Sequence, residues 1–132
     1  MTQTNYTAAN TAVSDQTLVH LRNNVKTALE LVMGDSSPEM LDEMSTIFLE
    51  DSAPLIDQMK DGLQKSNYSS ISMAAHALKG SSATIGLLDF ANICLTVESA
   101  SKQEETDIIG INLIALESEF SKVAQALQAF IL

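Results

Sequence analysis

Ile109, Leu113, Leu116, Phe120, Val123, Leu127 and Phe130 recur at alternating spacings of four and three near the end of a 132-residue chain. Such a stripe closes on itself every two helical turns, the period of a helix face packed against other helices. A strand repeats every two residues, and no segment of this chain alternates that way over useful length. Four earlier segments share the helical period. Leu18, Leu21, Val25, Ala28 or Leu29, and Val32 mark the first, which stops at Gly34. Ser36-Ser37-Pro38-Glu39 opens the second with a serine cap and a proline in the first turn. Leu41, Met44, Phe48, Leu55, Met59 and Leu63 stripe its inner face, and Pro54 either kinks or splits it. The third runs from a cap near Asn67 to a stop at Gly86, and the fourth covers roughly 87–102. The fifth begins in the acidic run Glu104-Glu105-Thr106-Asp107, which suits a helix N-terminus.

Short connections favour antiparallel neighbours. The expected architecture is all-α: an antiparallel up-and-down four-helix bundle with an additional short N-terminal capping helix. Residues 1–14 are polar and aperiodic and read as a flexible tail, leaving 15–132 as the one domain.

Charge narrows what such a bundle does. Seventeen acids against seven bases give a net −10, which disfavours gripping nucleic acid or an anionic membrane through cationic contacts. The acids are unevenly placed. From Glu30 to Asp61 there are nine acids and only Lys60, whereas from Ser66 to Val97 there are only Asp89 and Lys79. Cys94 is the single cysteine, so no intrachain disulfide forms, and in its apolar run it reads as a small core residue. With no signal-like start and no apolar run approaching the ~20 residues of a bilayer span, the expected location is the cytoplasm. The stripes look satisfied within one bundle, so a monomer is the simpler expectation.

The neutral stretch contains AAHALKGSSATIG, residues 74–86. At about 100° per residue, Ile71, Ala75, Leu78, Ser82 and Ile85 form the inward seam of the third helix, with Ser81 on the inner half. His76 falls almost opposite that seam, among Ser69, Ser72, Gly80 and Ala83, with Lys79 one turn on. A glycine inside a helix costs roughly 1 kcal/mol relative to alanine. Here it sits on the solvent side and clears ground beside an exposed imidazole. His20, in the first helix, has no such surroundings and reads as a solvated side chain. Two distant histidines without a cysteine pair or carboxylate spacing do not make a metal site.

Catalytic templates fail. Lys79-Gly80-Ser81-Ser82 lacks the first glycine and the strand of a phosphate-binding loop, and GxGxxG, HExxH and G-x-S-x-G do not occur. Ser81 and Ser82 are placed to bond back to the carbonyl one turn earlier. A neutral imidazole nonetheless performs covalent chemistry unaided, because a ring nitrogen accepts a phosphoryl group in line. That reaction needs positioning and charge neutralisation, and Lys79 is placed to offset the charge acquired.

His76-Ala77-Leu78-Lys79-Gly80-Ser81-Ser82, with Gly86 ten residues after the histidine, resembles the signature of histidine-containing phosphotransfer (HPt) domains. Phe48-Leu49-Glu50-Asp51 upstream and 87–98 downstream, with Cys94, sit where such domains have comparable segments, so the resemblance spans about 15–130. It implies a four-helix bundle that carries a phosphoryl group on His76. The group would come from, and go to, aspartates of response-regulator receiver domains, with a hybrid sensor histidine kinase as a further partner. Lys79 would stabilise the phosphorylated state. Gly80 would leave room for the receiver, docking over Ser72, Met73, Lys79, Gly80 and Ala83. Mg²⁺ would belong to the receiver, with no cofactor or metal in this chain.

Two positions depart from the family pattern. Where an amide often bonds the histidine ring, this chain has Glu98, which either orients the ring by accepting an N–H or is an inert helix residue. Where basic residues often follow the last glycine, it has Leu87, Leu88 and Asp89, leaving apolar contacts to supply most of the docking affinity. Without a nucleotide-binding motif the chain is a carrier rather than a kinase. A module that docks on receivers or a kinase without taking phosphate, and a helical protein with an idle histidine, are the rival readings.

Overall fold

The computed structural model describes residues 13–131. Five helices follow one another: α1 (Asp15–Met33), α2 (Pro38–Gln64), α3 (Tyr68–Thr84), α4 (Leu88–Lys102) and α5 (Thr106–Gln128). No strand occurs among the described residues. Most of the segment read as an N-terminal tail, residues 1–12, lies outside them.

Local chemistry sets the helix ends. Ser14, Ser37 and Asn67 each cap a helix by accepting a backbone N–H from three residues on, at 3.2 Å in each case. Three helices then end the same way, with a left-handed residue and a backbone bond spanning five residues. After α3 that residue is Gly86 (φ +81°), and Leu87 N–H reaches the Ser82 carbonyl at 2.9 Å. After α2 and α4 the left-handed residues are Ser66 and Glu104, with bonds from Asn67 to Gly62 and from Glu105 to Ala100. Pro54 leaves α2 a single helix rather than two. The proline is exposed, so water can serve the carbonyl it leaves unbonded.

Helices α2, α3, α4 and α5 pack as a ring, each against the next and α5 back against α2, which closes the four-helix bundle. Phe48, Phe90 and Phe120 stack through its middle with ring centroids 6.1 Å apart. Met59, Ile71, Leu78, Val97, Ile109 and Leu116 are sealed from solvent around them. The α5 stripe is buried from Ile109 to Leu127, while Phe130 lies past the helix end and is half-buried.

Helix α1 caps the bundle against α5 and α3. At 19 residues it is longer than α3 or α4, so its capping character comes from its contacts rather than its length. Leu21, Val25 and Leu29 form its buried face. Val32, assigned to that face from its spacing, is instead 58% exposed, because the last turn of α1 overhangs the helices it caps. The arginine of α1, Arg22, donates from Nε to the Ala126 carbonyl at 3.1 Å. The closest seat is at Gly86, where a Cβ would meet the Asn24 carbonyl oxygen at 2.6 Å and Ala28 Cβ at 2.8 Å.

Candidate functional site

Helix α3 buries Ile71, Ala74, Ala75, Leu78 and Ser82. That choice forces His76, about 160° round from Leu78, into solvent, and its side chain is 69% exposed. Gly80 and Ala83 share the outer face, Met73 is 67% exposed and Ser72 is half-buried. A Cβ built at Gly80 would meet nothing within 4 Å, so the fold itself does not require glycine there. Ser82 behaves as its inward position dictates, donating to the Leu78 carbonyl at 2.6 Å. Ser81 also bonds that carbonyl, at 3.2 Å, but is exposed, although its angle of about 60° from Leu78 puts it on the inner half of the helix.

Across the seam, α4 buries Phe90, Ala91, Cys94, Val97 and Ser101, and Glu98 falls at the edge of that face. Only 7% of its side chain is accessible. Its Oε2 is 2.9 Å from His76 Nδ1, and its Oε1 accepts from Lys79 Nζ at 2.6 Å. Lys102, one turn further along α4, brings Nζ to 3.4 Å from Oε2. The hydrogen bond from Lys79 is the main reason the Glu98 carboxyl is held down at about 2; burial pushes the other way, and His76 and Lys102 add to the lowering. A carboxylate buried with one partner removed is costly, by roughly 3–5 kcal/mol. Here three partners share one.

The protonation pattern of the ring follows. An ionised carboxylate only accepts hydrogen bonds, so Nδ1 carries the proton it donates to Glu98. In the neutral imidazole the lone pair is then on Nε2, the nitrogen on the open side. Lys79 is 29% exposed and held within a turn of it. Glu98 thus contacts both His76 and Lys79, and Lys102 is a further contact that the motif did not reveal. The signal for Lys102 was its spacing, four residues after an acid on one helix.

Other candidates fall away. Cys94 is sealed from solvent and burial pushes its thiol up to about 12, far from a nucleophile at neutral pH. His20 is exposed on α1 with Asn24 Nδ2 at 3.4 Å from its Nε2. Among the described residues no three metal-binding side chains gather, and no helix is long and apolar enough to cross a membrane. A groove of about 710 Å³ between α2 and α5, lined by Leu63, Gly110, Ile111 and Ile114, contains none of the residues around His76.

The Hpt domain model matches residues 43–129, more than half of the chain. The chain belongs to the Hpt domain family. This Hpt match includes every residue of the His76–Glu98 cluster and leaves α1 outside. The chain is 26% identical over 105 residues to histidine-containing phosphotransfer protein 1 of Oryza sativa subsp. japonica, covering 78% of this chain and 71% of that protein. It is 30% identical over 73 residues to histidine-containing phosphotransfer protein 2 of Arabidopsis thaliana, covering 53% and 47%. Against histidine-containing phosphotransfer protein 1 of Arabidopsis thaliana the identity is 24% over 102 residues, covering 76% and 66%. No solved structure matches significantly. As an Hpt domain the chain has a histidine phosphotransfer role in two-component signalling, as a carrier of the group.

Proposed function

We propose that the chain is a phosphorelay intermediate that works through His76 Nε2, as a monomer in the cytoplasm. A receiver-domain aspartyl phosphate supplies the group, and a second receiver's aspartate takes it. The observation that carries this reading is the divided ring: Nδ1 engaged by buried Glu98 at 2.9 Å in a side chain that is 69% exposed as a whole. As Nε2 attacks, the N–P bond forms while the P–O bond to the donor carboxylate breaks, and its electron pair stays on that oxygen. Lys79 offsets the charge gained, within a turn of the ring. Mg²⁺ belongs to the receiver, where it would neutralise the phosphoryl oxygens during transfer.

The open ground beside the ring supports docking by something as large as a receiver. Ser72, Met73, Gly80 and Ala83 form a face with little side-chain bulk apart from Met73, and Lys79 lies at its edge. Such a face supplies affinity through apolar contact.

Incubation with a phosphorylated receiver and Mg²⁺ tests the reading. The chain becomes labelled with a phosphate that is labile to acid and stable to alkali, and His76→Gln takes no label while keeping its helical spectrum and its receiver binding. A label that persists in His76→Gln refutes the assignment. Binding by the wild-type chain without any label favours a pure docking module.

A further inference from the structure

Resting on the reading of His76 as phosphoacceptor, we propose that Glu98 is a positioning residue that keeps the Nδ1 proton on the imidazole after phosphorylation, so that the N–P bond stays poised to break. The argument turns on what each side chain at this position is able to face. An amide adapts: its oxygen accepts from a protonated Nδ1 and its NH₂ donates to an unprotonated one. A carboxylate faces only the protonated nitrogen. Glu98 also has little freedom to turn away, because its side chain is 7% exposed, with Oε1 held by Lys79 at 2.6 Å while Oε2 meets His76 at 2.9 Å.

The consequence appears when the proton is followed through the reaction. Before attack, Nδ1 bears a proton and Nε2 the lone pair. Attack forms the Nε2–P bond and releases the donor carboxylate, and the ring becomes a phosphorylated imidazolium with its Nδ1 proton still on Glu98. In the onward step the Nε2–P bond breaks, its electron pair returns to Nε2, and a P–O bond forms to the acceptor aspartate. The departing ring is neutral imidazole bearing the same proton. No external acid or base enters in either direction. Had the phosphorylated ring lost that proton, it would depart as imidazolate, a far poorer leaving group. The groups facing Glu98 are His76 and Lys79 from α3 and Lys102 on its own helix, with the buried Cys94 thiol a turn away. The two lysines keep the carboxylate ionised beside the added phosphoryl charge.

The test uses the full chain labelled with ¹⁵N-histidine and phosphorylated by a receiver in mildly alkaline buffer. In the wild-type chain Nδ1 of the phosphorylated ring is protonated. In Glu98→Gln it loses the proton, the phosphate on His76 lives about tenfold longer, and onward transfer slows in proportion, as expected for losing a hydrogen bond to a charged acceptor. Glu98→Asp keeps the charge and stays closer to wild type than Glu98→Gln in both readouts. The inference is overturned by an unprotonated Nδ1 in the phosphorylated wild-type chain, a measurement that needs no variant. It is equally overturned by a lifetime unchanged in Glu98→Gln, or by Glu98→Asp matching Glu98→Gln. A wild-type chain that never takes label refutes the phosphoacceptor reading itself, a result distinct from all of these.

Discussion

Replacing Glu98 with glutamine removes the negative charge on which His76, Lys79 and Lys102 converge, and the loss has a pH signature that separates charge from packing. In the fold the carboxyl is held at about 2 rather than an ordinary 4.5, chiefly by its hydrogen bond from Lys79. At about 1.36 kcal/mol per pKa unit, that lowering contributes about 3 kcal/mol at neutral pH. The sign is that of a depressed native pKa. The stabilisation is complete above the unfolded value near 4.5 and is lost as pH falls through the folded value near 2. At about pH 3, roughly 1 kcal/mol of it remains. Urea unfolding of wild type and Glu98→Gln at both pH values isolates the effect, because every other carboxylate titrates in both proteins. With a urea slope of about 1.5 kcal/mol per molar, the midpoints differ by about 2 M at neutral pH and by less than about 1 M in acid. A difference of the same size at both pH values would refute the reasoning, since glutamine would then be acting through shape and not charge.

Gly86→Ala combines a left-handed backbone at φ +81° with a methyl 2.6 Å from the Asn24 carbonyl oxygen. It should cost about 3 kcal/mol in thermal or urea unfolding and speed hydrogen exchange in α1; a loss under about 1 kcal/mol would mean that α1 adjusts freely. A Cβ at Gly80 meets nothing within 4 Å, so Gly80→Gln should leave stability unchanged or raise it by up to about 1 kcal/mol. Phosphotransfer from a receiver should nonetheless fall at least about tenfold, and an unimpaired rate would show that this ground is not where the partner docks.

Much of the fold was legible because the signals are local. Ser37 before Pro38, Asn67 ahead of α3 and Gly86 behind it announce helix ends by their own chemistry, and the α5 stripe announces its buried face by period. What stayed hidden depends on neighbours far along the chain. Ser66 and Glu104 adopt left-handed backbone, yet neither is the glycine or asparagine that usually marks such a turn. Val32 fits its stripe and still faces water, because period reports a face and not how far the partner helices extend. In the site, the outward position of His76 followed from the helical angle alone. The part played by Glu98 did not, because 22 residues separate the two side chains and only the packing of α4 on α3 joins them. Its burial also runs against what an acid on a helix usually signals.

All four bundle helices bury serine, and in three of them one such residue bonds within its own helix: Ser52 in α2, Ser82 in α3 and Ser101 in α4. Each hydroxyl donates to the carbonyl four residues earlier on its own helix, at 2.5, 2.6 and 2.7 Å. These contacts are therefore slim but chemically silent, and one rod could slip along another there without breaking a bond between them. Among the described residues, the polar side-chain links between α3 and α4 all pass through Glu98. The carboxylate thus adds a polar pin to the apolar packing that sets one helix against the other.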